Sequence, residues 1–379
     1  MNDPVVTTTR ELCSTVTADG TVELEIQEAP VSAPGAHEVT VRIEAAPINP
    51  SDLAVVLAQA DTARAERGSG AAGTLVRLPI TVEARQASAA RVGVRVPVGN
   101  EGAGTVVAAG TSPEAQRLLG RTVAFRSGNA LADHRTLAVA QCLAVAPGVT
   151  PAQAAGASIN PLTALCMVET ARIEGHMGIV HTAAGSNLGL MLHRICRDEG
   201  VPLVNIVRSA ASAQRLAAEG AEHICTTASP SFEDDLLDAL DATGATLAFD
   251  AVGGGVLAAQ ILFAMEQVQA RRAGGFSVYG TDVVKQVYVY GSLDKGPTVI
   301  DRRFGLTWSV GGWLLTPFLR RIGEPRADEL RARVVDELTT TFASSYGFTA
   351  ALEDLLDPET LVRCAAMATG DKALITPVS

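Results

Sequence analysis

The segment GIVHTAAGSNLGLMLHRI holds a short apolar run, a turn of small residues and a helix-like stretch. Within it Ala184, Ser186 and Gly189 occupy the spacing of G-x-G-x-x-G, with Gly185, Asn187 and Leu188 between them. Small residues at these places let a backbone approach a pyrophosphate, and the start of the following helix offers N–H groups and the positive end of its dipole. The expectation is a dinucleotide phosphate site, although a small-residue turn without a ligand fits the same string. The next apolar run, PLVNIVR, ends in Arg208 and Ser209 with no acid at its tip. A site for NAD places Asp or Glu there to bind the ribose 2′-OH. Arginine instead pairs with a 2′-phosphate, and serine donates to it. This predicts NADPH over NADH, against the alternative of an ordinary surface arginine. Two later runs end in Val252-Gly253 and Tyr290-Gly291, where a bare backbone can lie against ribose and nicotinamide. Tyr290 either reaches such a crevice or packs, and Asp250 reads as structural.

These residues need elements to position them. After Pro151 apolar runs at 178–182, 202–208, 223–226, 246–252, 277–280 and 286–291 read as strands. Helical patterns at 187–197, 211–219, 232–242 and 257–270 lie between them. Alternating β and α units predict an α/β fold with a doubly wound parallel sheet, the Rossmann arrangement, and helices on both faces. The first 150 residues differ: short alternating runs at 21–26, 38–43, 104–109 and 121–125 predict a compact β-rich domain. Residues 57–95 are rich in Ala, Gly and Arg with little periodicity, and read as a flexible surface insertion or a flap at a pocket mouth. Helices are expected at 329–340 and 358–368, and the β-like run KALITPV closes the sequence. The expected organisation is 1–150 as a β-rich catalytic domain, 151–343 as the nucleotide-binding domain, and 344–379 as a segment returning to the first.

Composition removes other classes. The 379 residues are 47% hydrophobic and 19% charged, which supports a large core and excludes disorder as the main state. A net charge of −11 argues against nucleic acid or an anionic membrane as the partner. The uncharged stretch 136–168 is broken by Pro147, Pro151 and Pro161, so it reads as buried rather than membrane-spanning. The first residues lack a basic start followed by an apolar run, so no signal peptide is expected, and a cytoplasmic protein with reduced thiols fits best. The six cysteines form no C-x-x-C, and no two of the six histidines lie at ligand spacing, so no metal is expected.

Three strings in the first half, INPSDL, PVGNEGAGTVVAAG and NPLTAL, complete an ordered set with HTAAGSNLG, NIVRS, AFDAVGG, VYVYGSL and GDKALITP. Together they resemble the medium-chain dehydrogenase/reductase superfamily, closest to its zinc-free quinone oxidoreductase (zeta-crystallin-like) branch. The resemblance implies a GroES-like β-rich domain followed by a Rossmann domain, with the last segment returning to the first. It implies that Asn49 and Thr163 lie beside the nicotinamide, that Ser186, Asn187 and Leu188 hold the pyrophosphate, and that Arg208 and Ser209 hold the 2′-phosphate. Lys372 approaches the cofactor from the C-terminal segment on the same resemblance. Where zinc relatives carry a Cys and a His, this chain has Asn49-Pro50-Ser51 and Asn100. Neither Asn nor Pro is a usual zinc ligand.

Without a Lewis acid the hydride acceptor must already be electron-poor, as quinones and α,β-unsaturated carbonyls are. The expected function is zinc-independent, NADPH-dependent hydride transfer to such a substrate. An enoyl-thioester reductase is one alternative, with Arg64, Arg67, Arg77 and Arg85 as phosphate contacts. A nucleotide-binding protein with little activity is another. A homodimer is expected, and the apolar run 304–318 serves either an interface or the core.

Overall fold

The computed structural model describes residues 6–70, 72–275 and 277–377. The chain divides into two units, Met1–Ile159 with Arg333–Ser379, and Asn160–Ala332.

The second unit carries a six-stranded parallel sheet. Its spatial order is His223–Thr226, Leu203–Val207, Ile179–His181, Leu247–Asp250, Lys285–Val289 and Trp308–Gly312. In chain order that is 3-2-1-4-5-6, the doubly wound order in which the strands reverse direction of addition beside the first. Leu203–Val207 and Leu247–Asp250 are buried at every position. That is why they read as runs of apolar residues, broken by Asn205 and Asp250, rather than as alternating ones. Helix Asn187–Glu199 follows the first strand and stops at Gly200, whose φ of +66° suits a left-handed helix end. Helices Phe232–Thr243 and Leu257–Ala273 pack with the sheet through Leu236, Leu240, Ile261, Leu262 and Met265.

Residues 277–280 are not a strand. Gly280 has a φ of +82°, and the N–H and hydroxyl of Thr281 both donate to Glu266 instead of to a neighbouring strand. The apolar run 304–318 instead supplies the sixth strand, Trp308–Gly312, at the sheet edge.

The first unit has two sheets. One runs Cys142–Ala144, Thr122–Arg126, Glu101–Ala109, Glu38–Pro47, Ala373–Thr376 and Phe348–Ala351, with His134–Ala138 also on Glu38–Pro47. The strand Ala373–Thr376 pairs antiparallel with Glu38–Pro47 and parallel with Phe348–Ala351. The other sheet runs Glu66–Gly70, Gly73–Pro79, Thr21–Pro30, Thr8–Val16 and Arg95–Pro97.

The flexible reading of 57–95 is therefore corrected. This segment supplies two of those five strands, the first residue of a third and the helix Val82–Ala87. Its Leu75, Val76 and Leu78 are buried, and Val76 and Leu78 join the core around Leu12, Val22, Leu24, Ile43 and Phe125. The Ala, Gly and Arg content hides a strand whose inward face is short. The late helices also shift, to Glu324–Asp336 and Pro358–Ala365.

Candidate active site

Within the second unit the turn after Ile179–His181 is shaped by contacts between backbones. Ala183 takes a φ of +53°, a strained value outside glycine. Ala184 is fully buried, and its N–H donates to the carbonyl of Ile206 at 3.1 Å. Ser186 caps helix Asn187–Glu199, accepting from the N–H of Gly189 at 3.2 Å. A Cβ on Gly189 would lie 2.1 Å from the Ala184 carbonyl oxygen. Of the three fingerprint positions only the third needs glycine here, which explains why Ala and Ser serve at the other two. Gly185 and Leu188 are buried, while Ser186 and Asn187 are partly exposed.

At the tip of the second strand Arg208 is exposed, and among the described residues no carboxylate pairs with it. Ser209 is the N-cap of helix Ala210–Ala218, accepting from the N–H of Ser212 and donating to that residue's hydroxyl at 3.1 Å. Its hydroxyl proton is thus already used locally.

The ends of the fourth and fifth strands touch backbone to backbone. A Cβ on Gly253 would meet the carbonyl oxygen of Gly291 at 2.7 Å, and one on Gly291 would meet that of Ala251 at 2.6 Å. Asp250 is fully buried and accepts from Thr182 Oγ1 at 2.8 Å and from the N–H groups of Val252 and Gly253. It shapes this turn. The Tyr290 hydroxyl lies 2.7 Å from Nε2 of His181, and the two rings stack with centroids 5.8 Å apart. Of the two roles left open for Tyr290, packing inside the sheet end is the one its hydroxyl takes. Burial pushes the His181 pKa down to about 3, so the imidazole is neutral. Thr163 is buried in the first turn of helix Asn160–Glu174.

Within the first unit Asn49 and Lys372 meet. Asn49 is the N-cap of helix Pro50–Leu57, and its N–H donates to Asp52 Oδ2 at 2.7 Å. Its side-chain Nδ2 donates to Glu101 Oε1 at 2.9 Å, and its Oδ1 accepts from Lys372 Nζ at 2.7 Å. An anion at one end and a cation at the other fix which end of the amide is which. Glu101 Oε2 accepts from the N–H groups of Ser158 and Ile159, both at 3.0 Å. Asp52 Oδ1 accepts from the N–H of Asn100 at 2.8 Å.

Asp52 and Glu101 are 1% and 0% exposed. Burial raises the Asp52 pKa to about 6, against the backbone donors that lower it. Burial likewise raises Glu101. Burial lowers Lys372, opposed by the charges of Glu101 and Asp52. Asp52 and Glu101 were not singled out from sequence as site residues, although both stand inside the strings INPSDL and GNEGAG.

The places where zinc relatives carry ligands hold neutral side chains bonded to each other, Asn100 Nδ2 donating to Ser51 Oγ at 2.9 Å. Burial pushes the thiols of Cys13, Cys142, Cys166 and Cys225 up to about 12. Three of the four insertion arginines are engaged locally: Arg67 with Asp357, Arg77 with Glu23, and Arg85 with the carbonyl of Ala18. Among the described residues no helix is long and apolar enough to cross a membrane.

No family model matches the chain. Over 211 residues it is 29% identical to the mitochondrial enoyl-acyl-carrier-protein reductase of Bos taurus, a match covering 54% of this chain and 48% of that protein. The chain spans about half the length of the curated relatives it matches. Among solved structures, a protein described as an NADPH:quinone reductase of Mesorhizobium loti superposes with a TM-score of 0.73 at 24% identity, covering 100% of both chains. The complex of Etr1p with NADP and crotonyl-CoA superposes with a TM-score of 0.65 at 16% identity, covering 97% of this chain and 99% of that one. These solved structures superpose over nearly the whole chain, so the β-rich unit that takes up the strand Ala373–Thr376 and the unit with the 3-2-1-4-5-6 parallel sheet belong to a fold the chain shares with the solved structures of these reductases.

Proposed function

We propose that the chain is an NADPH-dependent oxidoreductase that passes a hydride to a quinone or an α,β-unsaturated carbonyl without zinc. The observation that carries this reading is the turn 183–189, closed against its helix by Gly189, together with the exposed, carboxylate-free Arg208 at the second strand tip. These residues suit a dinucleotide. Gly189 leaves no Cβ between turn and helix, and the first N–H groups of helix Asn187–Glu199 suit a pyrophosphate. Arg208 suits a 2′-phosphate through charge-assisted hydrogen bonds. Bound NADPH would supply the hydride.

In this reading Ala184, Gly185, Ser186, Asn187, Leu188 and Gly189 hold the pyrophosphate, and Arg208 holds the 2′-phosphate, joined by Ser209 once its hydroxyl proton turns from Ser212 to the phosphate. Val252, Gly253 and Gly291 line the ribose and nicotinamide, while Tyr290, bonded to His181, supports the strand end. Asn49, Thr163 and Lys372 act at the nicotinamide end, where Asn49 and Thr163 donate to or orient a carbonyl oxygen that gains negative charge.

The curated relatives are enoyl reductases, which supports the enoyl-thioester alternative. The local engagement of Arg67, Arg77 and Arg85 counts against their serving as its phosphate contacts. NADPH oxidation with a panel of quinones, enals and crotonyl thioester decides between the readings. Turnover of at least one acceptor is expected, and none with any acceptor rejects the reading. A homodimer belongs to the same proposal. Trp308–Gly312 pairs on one side only among the described residues, and Tyr279 and Leu306 beside it are 70% and 72% exposed. Sedimentation of the purified chain tests this part, with a monomer contradicting it.

A further inference from the structure

Of the chain's 30 Lys and Arg residues only three are lysine, at 285, 295 and 372. Arginine does nearly all the surface ion pairing, so lysine stands out where it is used. Lys285 is fully buried against Glu266, at 2.5 Å, and the carbonyl of Val283, and ties a loop to a helix. Lys295 is exposed. Lys372 alone joins a cluster of buried carboxylates and a side-chain amide that the proposed function already uses.

A lysine differs from an arginine in one respect that matters there: its ammonium can give up a proton, while a guanidinium holds its proton throughout the working range. We propose that Lys372 is the proton donor of the reaction with α,β-unsaturated carbonyls, and that Glu101 and Asp52 keep it charged between turnovers. This rests on the reading of the chain as an NADPH-dependent reductase with Asn49 at the nicotinamide end.

The geometry supports it in three ways. Lys372 Nζ spends one N–H on Asn49 Oδ1, and an ammonium has three. The adjacent Asp371 is taken by Arg363 at 2.6 and 2.8 Å, so the anions facing the amine are Glu101 and Asp52. Among the described residues both carboxylates accept from N–H groups, which is the pattern of ionised acids. Tyr346 is the other titratable group set against Glu101, and its hydroxyl is pushed up by burial first and by that carboxylate's charge next, so it stays neutral.

The step balances. A hydride adds to the β-carbon, the C=C pair shifts toward the carbonyl, and negative charge gathers on the α-carbon and oxygen. An Nζ–H bond then breaks, its proton bonds to the α-carbon, and the electron pair stays on nitrogen. Water returns a proton to the amine. The substrate is reduced by two electrons and the nicotinamide is oxidised by two. A quinone takes the same hydride to give a hydroquinone anion that needs no proton at carbon, so the two substrate classes should part company in a Lys372 variant.

The test compares wild type, Lys372→Met and Lys372→Arg with an enal and with a quinone at saturating NADPH, alongside NADPH titration without acceptor. For Lys372→Met a fall of about 10²–10⁴-fold in kcat is expected with the enal. The fall with the quinone should be far smaller, and Lys372→Arg should fail to rescue the enal reaction. Equal losses with both substrates, full rescue by Lys372→Arg, or a defect confined to NADPH affinity would each overturn the proposal while leaving the reductase reading intact. Absence of NADPH oxidation by wild type with every acceptor rejects that reading and the proposal with it. In the protein without cofactor, NMR of the three lysine side chains supplies a second readout. Lys372 should titrate below the ordinary lysine range and move lower still in Glu101→Gln, and an amine unmoved by that change would count against the cluster's role.

Discussion

On the proposed reading the turn after the first strand of the parallel sheet and the cluster around Asn49 both handle charge, and they do so by opposite means. The turn uses backbone. Its N–H groups stand at a helix start, its closure depends on a missing Cβ at Gly189, and the charged side chain that the proposed reading joins to it, Arg208, is exposed at the tip of the next strand. The cluster uses side chains. Two carboxylates with at most 1% exposure, an amide and an ammonium bond in a chain, each fixing the next. A backbone site tolerates many side chains provided they are small, so its composition varies while its shape holds. A side-chain site of buried charges tolerates almost no loss, because removing one member leaves the others unpaired in a poor solvent for charge.

That contrast can be broken at its most vulnerable point by Glu101→Ala. It strips partners from Asn49 Nδ2 and from the N–H groups of Ser158 and Ile159. A loss of about 3–5 kcal/mol is expected in denaturant unfolding, and a midpoint within error of wild type would show that the cluster carries little stability. The turn should respond next. Gly189→Val puts a branched side chain where even a Cβ would lie 2.1 Å from a carbonyl oxygen. About 1–3 kcal/mol of overpacking is expected, with NADPH affinity reduced about tenfold or more; retained affinity would remove this turn from the site.

A third effect separates the regions by pH. The Asp52 carboxyl is raised from 3.8 to about 6 by burial, so the folded state binds this proton more tightly than the unfolded chain. Its contribution is fully present below about 4 and is lost as pH rises through about 6. A decline on the order of 1–3 kcal/mol across that window is expected. Asp52→Asn should flatten it, and an equal slope in the variant would assign the titration elsewhere. The smallest effect falls on the exposed member. Arg208→Ala should cost about tenfold in the preference for NADPH over NADH, equivalent to about 1.4 kcal/mol, with unfolding unchanged. A preference that survives would take Arg208 out of the site.

The same contrast explains what the amino-acid sequence discloses. The strands at 179–181, 203–207 and 247–250 were legible because both faces are covered, so apolar residues dominate each run and His181, Asn205 and Asp250 are the buried polar exceptions. The strand Trp308–Gly312 was less so, since its two glycines and edge position blur the pattern, and its apolar flank reads equally as interface or core. The run at 277–280 was misread because its β-like residues end in a glycine at positive φ, a property of the backbone that no residue type announces. Residues 57–95 hid the hairpin of Glu66–Gly70 and Gly73–Pro79 beneath an Ala, Gly and Arg composition. In the site, the small-residue turn showed itself as a local string. The strain at Ala183 did not, and neither did the Lys372–Asn49 bond, whose partners stand 323 positions apart. Spacing rules read neighbours along a chain; buried charge networks are written across it.

The strand Ala373–Thr376 sits between Glu38–Pro47 and Phe348–Ala351. During synthesis the ribosome delivers the other strands of that sheet, and the entire second unit, before this one. The contiguous second unit can acquire its shape early, whereas the first must wait with an unfilled slot beside Glu38–Pro47, a long-range closure of the slow kind. Because Lys372 directly precedes that strand, the ammonium reaches Asn49 only when the slot is filled, so an unfinished chain lacks the cation that balances Asp52 and Glu101.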